Sequence, residues 1–246
     1  MILDIDAGNS SLKWRLSQRD GVIVQRGVCF DESELEGLEV GGAVDEILER
    51  IRVGSVRGDG FASALTEIAR RCWQLAPEFA LPVRQCAGVT NAYKVPHTLG
   101  VDRWLAILAA FNHCRGACCV VDAGSAATFD VVAEDGRHLG GYIVPGLVMQ
   151  KRSLLEGTAI RLSGEAGWPD DLRPGTDTSL AVHGGIVAML VDWVQREYQE
   201  AARVADSALY LTGGDAVLLS AHLLERGIAH TVVRDLVLDG LASALP

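Results

Sequence analysis

The chain has 246 residues, of which 49 % are hydrophobic and 22 % charged, with a formal net charge of -10. This composition excludes a disordered chain, and the length is enough to bury a substantial core as one large domain or two small ones. The acidity, with no run of lysine or arginine, speaks against a general nucleic-acid surface.

Met1 leads directly into Ile2-Leu3-Asp4-Ile5, with no basic segment before it. No uninterrupted apolar run reaches about 18 residues, so neither a secretory signal nor a membrane span is expected. The cysteines are Cys29, Cys72, Cys86, Cys114, Cys118 and Cys119, with no Cys-x-x-Cys pair and no zinc spacing. A reduced, cytoplasmic compartment without a disulfide framework follows as the expectation.

Residues 2–6, 11–17 and 22–28 read as three short strands of an antiparallel meander. The first ends in Asp6-Ala7-Gly8-Asn9-Ser10-Ser11-Leu12-Lys13. A glycine with small neighbours lets an anionic oxygen approach backbone N–H groups, and the strand-end carboxylate suits a hard cation that bridges phosphates. Taken alone, the pattern is more often a plain hairpin turn. Helical spacing covers 43–51 and 61–73, with strands expected over 53–56 and 82–86. The loop Asn91-Ala92-Tyr93-Lys94-Val95-Pro96-His97-Thr98-Leu99-Gly100-Val101 then enters an apolar helix running to Phe111, with Asp102 and Arg103 at or near its start. An aspartate there serves as a cap or dipole partner. The functional alternative is an exposed carboxylate beside an arginine whose fork binds a carboxylate or phosphate, with Tyr93 as an amphipathic wall.

After Gly116 the pattern restarts, with strands over 118–122, 128–133 and 138–144. The first of these again ends in Asp-Ala-Gly, at Asp122-Ala123-Gly124-Ser125-Ala126. Two copies in the same strand context suggest two phosphate-facing loops. Gly140-Gly141-Tyr142-Ile143-Val144-Pro145-Gly146 leads into a helix through about 156, 164–174 reads as a loop, and a long helix covers 179–200. A buried strand over 208–212 ends in Gly213-Gly214-Asp215, a third close-approach turn, suited to a nucleoside. Helices over 217–226 and 235–245 close the chain. The halves divide as 1–115 and 116–246. Gly-x-x-x-x-Gly-Lys-[Ser/Thr] is absent, as is Gly-x-Gly-x-x-Gly after the first strand, so neither a P-loop nor a dinucleotide fold is expected. Trp14, Trp73, Trp104, Trp193 and His183 read as structural.

Together these motifs resemble the type III pantothenate kinases of the actin-like ATPase superfamily. The likeness rests on Asp6–Ser10, on Tyr93 with Pro96, on Leu99-Gly100-Val101-Asp102-Arg103, on Asp122–Ala126, on Gly140–Gly146 and on Thr212–Asp215, six motifs in the family's order over nearly the whole chain. It implies an α/β fold of two similar actin-like (ribonuclease H-like) domains, mixed sheets with helical cover, and a nucleotide cleft between them. It also implies ATP-dependent phosphorylation of pantothenate to 4'-phosphopantothenate, the first step of coenzyme A biosynthesis. On this resemblance Asp102 is the catalytic base. Asp6, Ala7, Gly8, Asn9, Ser10, Ser11, Leu12 and Lys13 form the first phosphate loop, with Asp6 helping to place magnesium, and Ser125 contacts ATP. Tyr93, Gly100, Val101, Asp102 and Arg103 form the pantothenate pocket, with Arg103 meeting the substrate carboxylate. Thr178 completes it from the second subunit of a homodimer, and Asp122 holds a monovalent cation, potassium or ammonium.

The chain departs from the family pattern at Ser10 and Ser125, where threonine is common, and at Asp177, where asparagine often precedes the matching threonine. Two other functions fit the same residues: a kinase or phosphatase for another small molecule, and a regulatory accessory protein without turnover. A substrate lacking a carboxylate would not need Arg103, whereas intact Asp6, Asp102 and Asp122 argue against a degenerate site.

Overall fold

Leu3, Ile5 and Ala7 alternate with polar residues in the first strand, yet both its faces are covered, which makes it the centre of a sheet. The computed structural model describes residues 1–38, 47–163 and 167–246. It divides into unit 1, Met1–Asn112 with Asp235–Pro246, and unit 2, His113–Arg234. The segment 235–246, read from sequence as part of the second half, thus belongs with the first.

In unit 1, β1 (Ile2–Ala7) pairs antiparallel with β2 (Leu12–Ser17), and β2 pairs antiparallel with β3 (Ile23–Cys29). On its other edge β1 pairs parallel with β4 (Arg50–Ser55), which pairs parallel with β5 (Glu78–Phe79). The helix α1 (Asp59–Trp73) buries Phe61, Leu65 and Ala69 in one apolar cluster with Leu3, Ile5 and Ala7. Each large apolar side chain so buried contributes roughly 1.5–3 kcal/mol. A hairpin of β6 (Gln85–Cys86) and β7 (Val89–Thr90) precedes α2 (Val101–Cys114), in which Val101 and every residue from Arg103 to Phe111 is buried.

The opposite face of β1 is ionic. Asp4, fully buried, accepts from Arg52 Nε at 2.7 Å, Arg52 Nη2 at 3.1 Å and Arg15 Nη2 at 3.2 Å. Arg15 also bridges to Asp239, on the C-terminal helix that packs against β1 and β4. Burial works against the charge on Arg15, and its bonds with Asp239 and Asp4 outweigh burial, so its pKa lies above the ordinary arginine value.

Unit 2 repeats the plan: β8 (Cys118–Ala123), β9 (Ala126–Val132) and β10 (His138–Pro145) form the meander. The helices α3 (Leu147–Gly157) and α4 (Thr178–Ala202) follow, then β11 (Ala208–Thr212), parallel to β8, then α5 (Ala216–Glu225) and β12 (Thr231–Val232). The helix on Asp239 is α6 (Leu236–Ala244), in unit 1. The strand orders, β3-β2-β1-β4-β5 and β10-β9-β8-β11-β12, match position for position. The internal repeat read from the two Asp-Ala-Gly turns is therefore a repeat of whole sheets. Cys118 and Cys119 are buried in β8, and burial pushes the Cys119 thiol up to about 12 and raises that of Cys118 as well.

Three local expectations need correction. Of the helix read over 43–51, residues 43–46 lie outside the described residues, while Arg50 and Ile51 begin β4, drawn in by parallel pairing with Ile2 and Leu3. The strand read over 82–86 is only β6, because Gln85 and Cys86 pair back on Thr90 and Val89. The two-residue β12 is too short to give a periodic signal in the sequence.

Candidate active site

Unit 1 brings Tyr93, Asp102 and Arg103 together. The first helical hydrogen bond of α2 runs from Trp104 N–H to the Gly100 carbonyl at 3.0 Å, which puts Gly100 at the cap and Asp102 in the first turn. Asp102 Oδ1 accepts from the Arg103 N–H at 2.8 Å, one of the donors that a helix N-terminus leaves without an intrahelical partner. A Cβ on Gly100 would lie 2.6 Å from that same Oδ1, so glycine at 100 is what lets the carboxylate fold back over the helix end. Arg103 is buried, donates from Nη1 to the Tyr93 hydroxyl at 3.0 Å and lies 5.9 Å from the Tyr93 ring centroid. An exposed cap aspartate would need none of this company.

The loop at Asp6–Lys13 is braced from β4 outward. Val56 N–H donates to the Ala7 carbonyl at 3.1 Å, and Arg57 Nε donates to the Gly8 carbonyl at 2.8 Å. Asn9 and Ser10 are exposed, Ser11 half-buried and Leu12 buried, and Asp6 stands opposite Lys13 in the register of β1 and β2.

In unit 2 two further turns pack on the turn that Asp122 opens. The Thr212–Asp122 register places Gly213 beside it, so that a Cβ on Gly213 would sit 2.4 Å from both Asp122 Oδ1 and the Ala123 carbonyl oxygen. Only glycine leaves space next to these two oxygens, and its φ of +95° is one that other residues rarely adopt. Asp215 N–H donates to the Ala123 carbonyl at 2.9 Å, and burial raises the Asp215 carboxyl above its usual range. On the other side Gly146 N–H donates to the Ser125 carbonyl at 3.1 Å, and a Cβ at 146 would stand 2.1 Å from the Gly124 oxygen. Ser125 itself is exposed. The carboxylate and carbonyl oxygens at Asp122 and Ala123, with space kept by glycine, fit a hard or alkali cation's preference for oxygen. Asp6 offers a half-buried carboxylate of the same kind.

Thr178 is exposed at the first position of α4. Asp177 caps α4, its side chain accepting from Leu180 N–H at 2.8 Å, a bond that asparagine would make equally well. His183 is buried with Nδ1 2.8 Å from the Ser179 carbonyl, in keeping with a structural role. Gly146, Gly213 and the Asp215 N–H appear in the sequence as motif members, but their packing on residues 122–125 does not.

The Gly213 geometry predicts a sharp contrast with its neighbour. Gly213→Ala is expected to destabilise by about 2–4 kcal/mol through backbone strain and overlap, lowering the melting midpoint on the order of 10 °C. Gly214→Ala meets open space and is expected to leave it nearly unchanged. Thermal unfolding of the two variants side by side checks this.

Two meander-opened sheets of identical order, each ending its first strand in an Asp-Ala-Gly turn, define a protein of the actin-like ATPase and sugar kinase fold. Solved structures share it: a Baf family protein from Campylobacter jejuni, described as a transcriptional activator, has a TM-score of 0.64 at 20 % identity over 99 % of this chain and 96 % of its own. A protein from Sinorhizobium meliloti described as a 2-dehydro-3-deoxygalactonokinase has a TM-score of 0.52 at 14 % identity, over 99 % and 98 %. At such identities the likeness is one of fold. The family model of type III pantothenate kinase matches residues 2–200, and the chain belongs to that family. Among its relatives, the type III pantothenate kinase of Marinobacter nauticus is 41 % identical, covering 98 % of this chain and 96 % of the relative. That of Pseudomonas putida is 38 % identical over 100 % and 99 %.

Proposed function

We propose that the chain transfers the γ-phosphoryl group of ATP to pantothenate, giving 4'-phosphopantothenate, the entry step to coenzyme A. The observation that carries this reading is the Tyr93–Asp102–Arg103 constellation at the start of α2, in a chain of this family. Arg103 binds the substrate carboxylate through its fork, and Tyr93 packs along the substrate's apolar part. Asp102 accepts the proton of the attacking hydroxyl, needing only a modest basicity if the proton moves late in a loose transition state. Asp6–Lys13 and Ser125 bind phosphate oxygens, and Gly100 and Val101 shape the pocket beside Asp102.

Asp6 would help hold magnesium and Asp122 potassium or ammonium; when bound, such cations offset charge on the phosphates. In a homodimer, Thr178 would complete the partner's pantothenate pocket. Exposed Leu139, Tyr142 and Ile143 on β10 with Val148 and Met149 on α3 support a subunit contact in unit 2. Among the described residues no helix is long and apolar enough to cross a membrane, and we place the enzyme in the cytoplasm.

The test is ADP release by purified protein with ATP and magnesium, with and without pantothenate, and with potassium replaced by sodium. Turnover requiring both pantothenate and potassium or ammonium supports the reading; ATP binding without turnover on pantothenate overturns it. Arg103→Ala is expected to raise the pantothenate KM about ten- to a hundredfold while the ATP KM stays near its original value. An unchanged pantothenate KM would remove the substrate carboxylate from Arg103.

A further inference from the structure

The segment 91–95 has no regular structure, yet it carries Tyr93, whose hydroxyl holds Arg103. Such a segment stays in one conformation only if its backbone polar groups are committed. Two residues outside the pocket commit them. Arg84, at the open end of the β6–β7 hairpin, donates from Nη1 to the Asn91 carbonyl at 3.1 Å and the Tyr93 carbonyl at 2.9 Å. Its Nη2 donates to the Lys94 carbonyl at 2.7 Å. One guanidinium thus gathers three carbonyls within four residues, a geometry that its planar fork allows and an ammonium does not.

Asn91 works from inside. It is buried, its Oδ1 accepts from the Tyr93 N–H at 2.9 Å, and its Nδ2 donates to the Pro96 carbonyl at 3.4 Å. The hairpin sets the two residues opposite each other, with Asn91 N–H donating to the Arg84 carbonyl at 2.9 Å. A two-residue turn at Ala87 and Gly88, both at positive φ, fixes that register.

We propose that Arg84 and Asn91 are positioning residues for the acceptor pocket, fixing the backbone around Tyr93 and, through the Tyr93 hydroxyl, the guanidinium of Arg103. The inference rests on the pantothenate reading and deepens it: part of the enzyme's grip on the acceptor is set by a hairpin arginine that meets neither substrate. Arg84 is exposed, so its replacement leaves the core intact.

Steady-state kinetics of Arg84→Gln, Arg84→Lys and Asn91→Ala test it, together with amide hydrogen exchange of the ligand-free proteins. Arg84→Gln is expected to raise the pantothenate KM roughly tenfold, with the ATP KM within about twofold and the melting midpoint preserved. Arg84→Lys, able to engage part of the carbonyl cluster, recovers part of the loss. A pantothenate KM that stays put in Arg84→Gln, or an equal rise for both substrates, overturns the proposal. Exchange at the Tyr93 amide is expected to quicken in Arg84→Gln and Asn91→Ala, and unchanged exchange in both overturns the clamp. That readout needs no substrate, so it separates failure of this inference from failure of the pantothenate reading, which the unaltered protein's turnover decides.

Discussion

Asp102→Asn is expected to lower kcat by about 10²- to 10⁴-fold while leaving the pantothenate KM and the melting midpoint close to those of the unaltered enzyme. Asparagine keeps the size of the side chain and an oxygen able to accept the Arg103 N–H, so the start of α2 and the Tyr93–Arg103 contact persist. What is lost is a group able to take the hydroxyl proton. Phosphoryl transfer asks little covalent chemistry of the protein, so alignment should supply the activity that remains. Pantothenate binding measured by calorimetry alongside ADP release separates loss of chemistry from loss of the site. Normal turnover would remove Asp102 from the role of base. Gly100→Ala provides a graded companion: its Cβ would overlap Oδ1, and the displaced carboxylate should reduce kcat less than its outright replacement does.

The second large effect concerns stability. Asp4→Asn is expected to destabilise unit 1 by about 3–5 kcal/mol, seen as a drop in melting midpoint on the order of 10 °C or more and a lower urea midpoint. Asp4 is fully buried and shared by Arg15 and Arg52, both largely buried themselves. Removing its charge leaves Arg15 with Asp239, on a different element, and strips Arg52 of the carboxylate that accepts from its Nε and Nη2. Desolvated charges without compensation account for most of such a cost. By the same argument, replacing Asp4, Arg15 and Arg52 together with apolar residues of similar volume should restore much of the loss. Arg19→Ala, which breaks the exposed pair with Glu49, should change stability by less than about 1 kcal/mol. If Asp4→Asn proves as mild as Arg19→Ala, the ionic face of the sheet is not what holds α6.

The strands of both meanders were legible because their signals are local: apolar runs broken by Asp-Gly turns. The repeated Asp-Ala-Gly also made the two-fold plan legible. The membership of α6 was not, because Arg15, which pairs with Asp239, lies 224 residues earlier and no local pattern ties the two together. Around Asp122 the sequence revealed the glycines but not their reason. The need for glycine at 213 arises only when β11 pairs with β8 and brings Thr212 level with Asp122. Asp102 could be read either as a cap or as a site carboxylate; the structure gives the cap to Gly100 and seats Asp102 beside it. Arg84 carried no periodic or motif signal, since its role depends on three carbonyls presented by a folded loop.

The discontinuity of unit 1 sets an order of events during synthesis. Its sheet can pair strands β1 to β5 early, but the helix that covers the ionic face comes only after the whole of unit 2. Until α6 emerges, Arg15 lacks Asp239, and β1 and β4 lack one of the helices that pack against them. Unit 2 is continuous in the chain and can close without waiting. A nascent chain released between the two would carry a finished second unit and an unsealed first one, a state exposed to chaperones and proteases. Closure of unit 1 therefore waits on a segment made after all of unit 2.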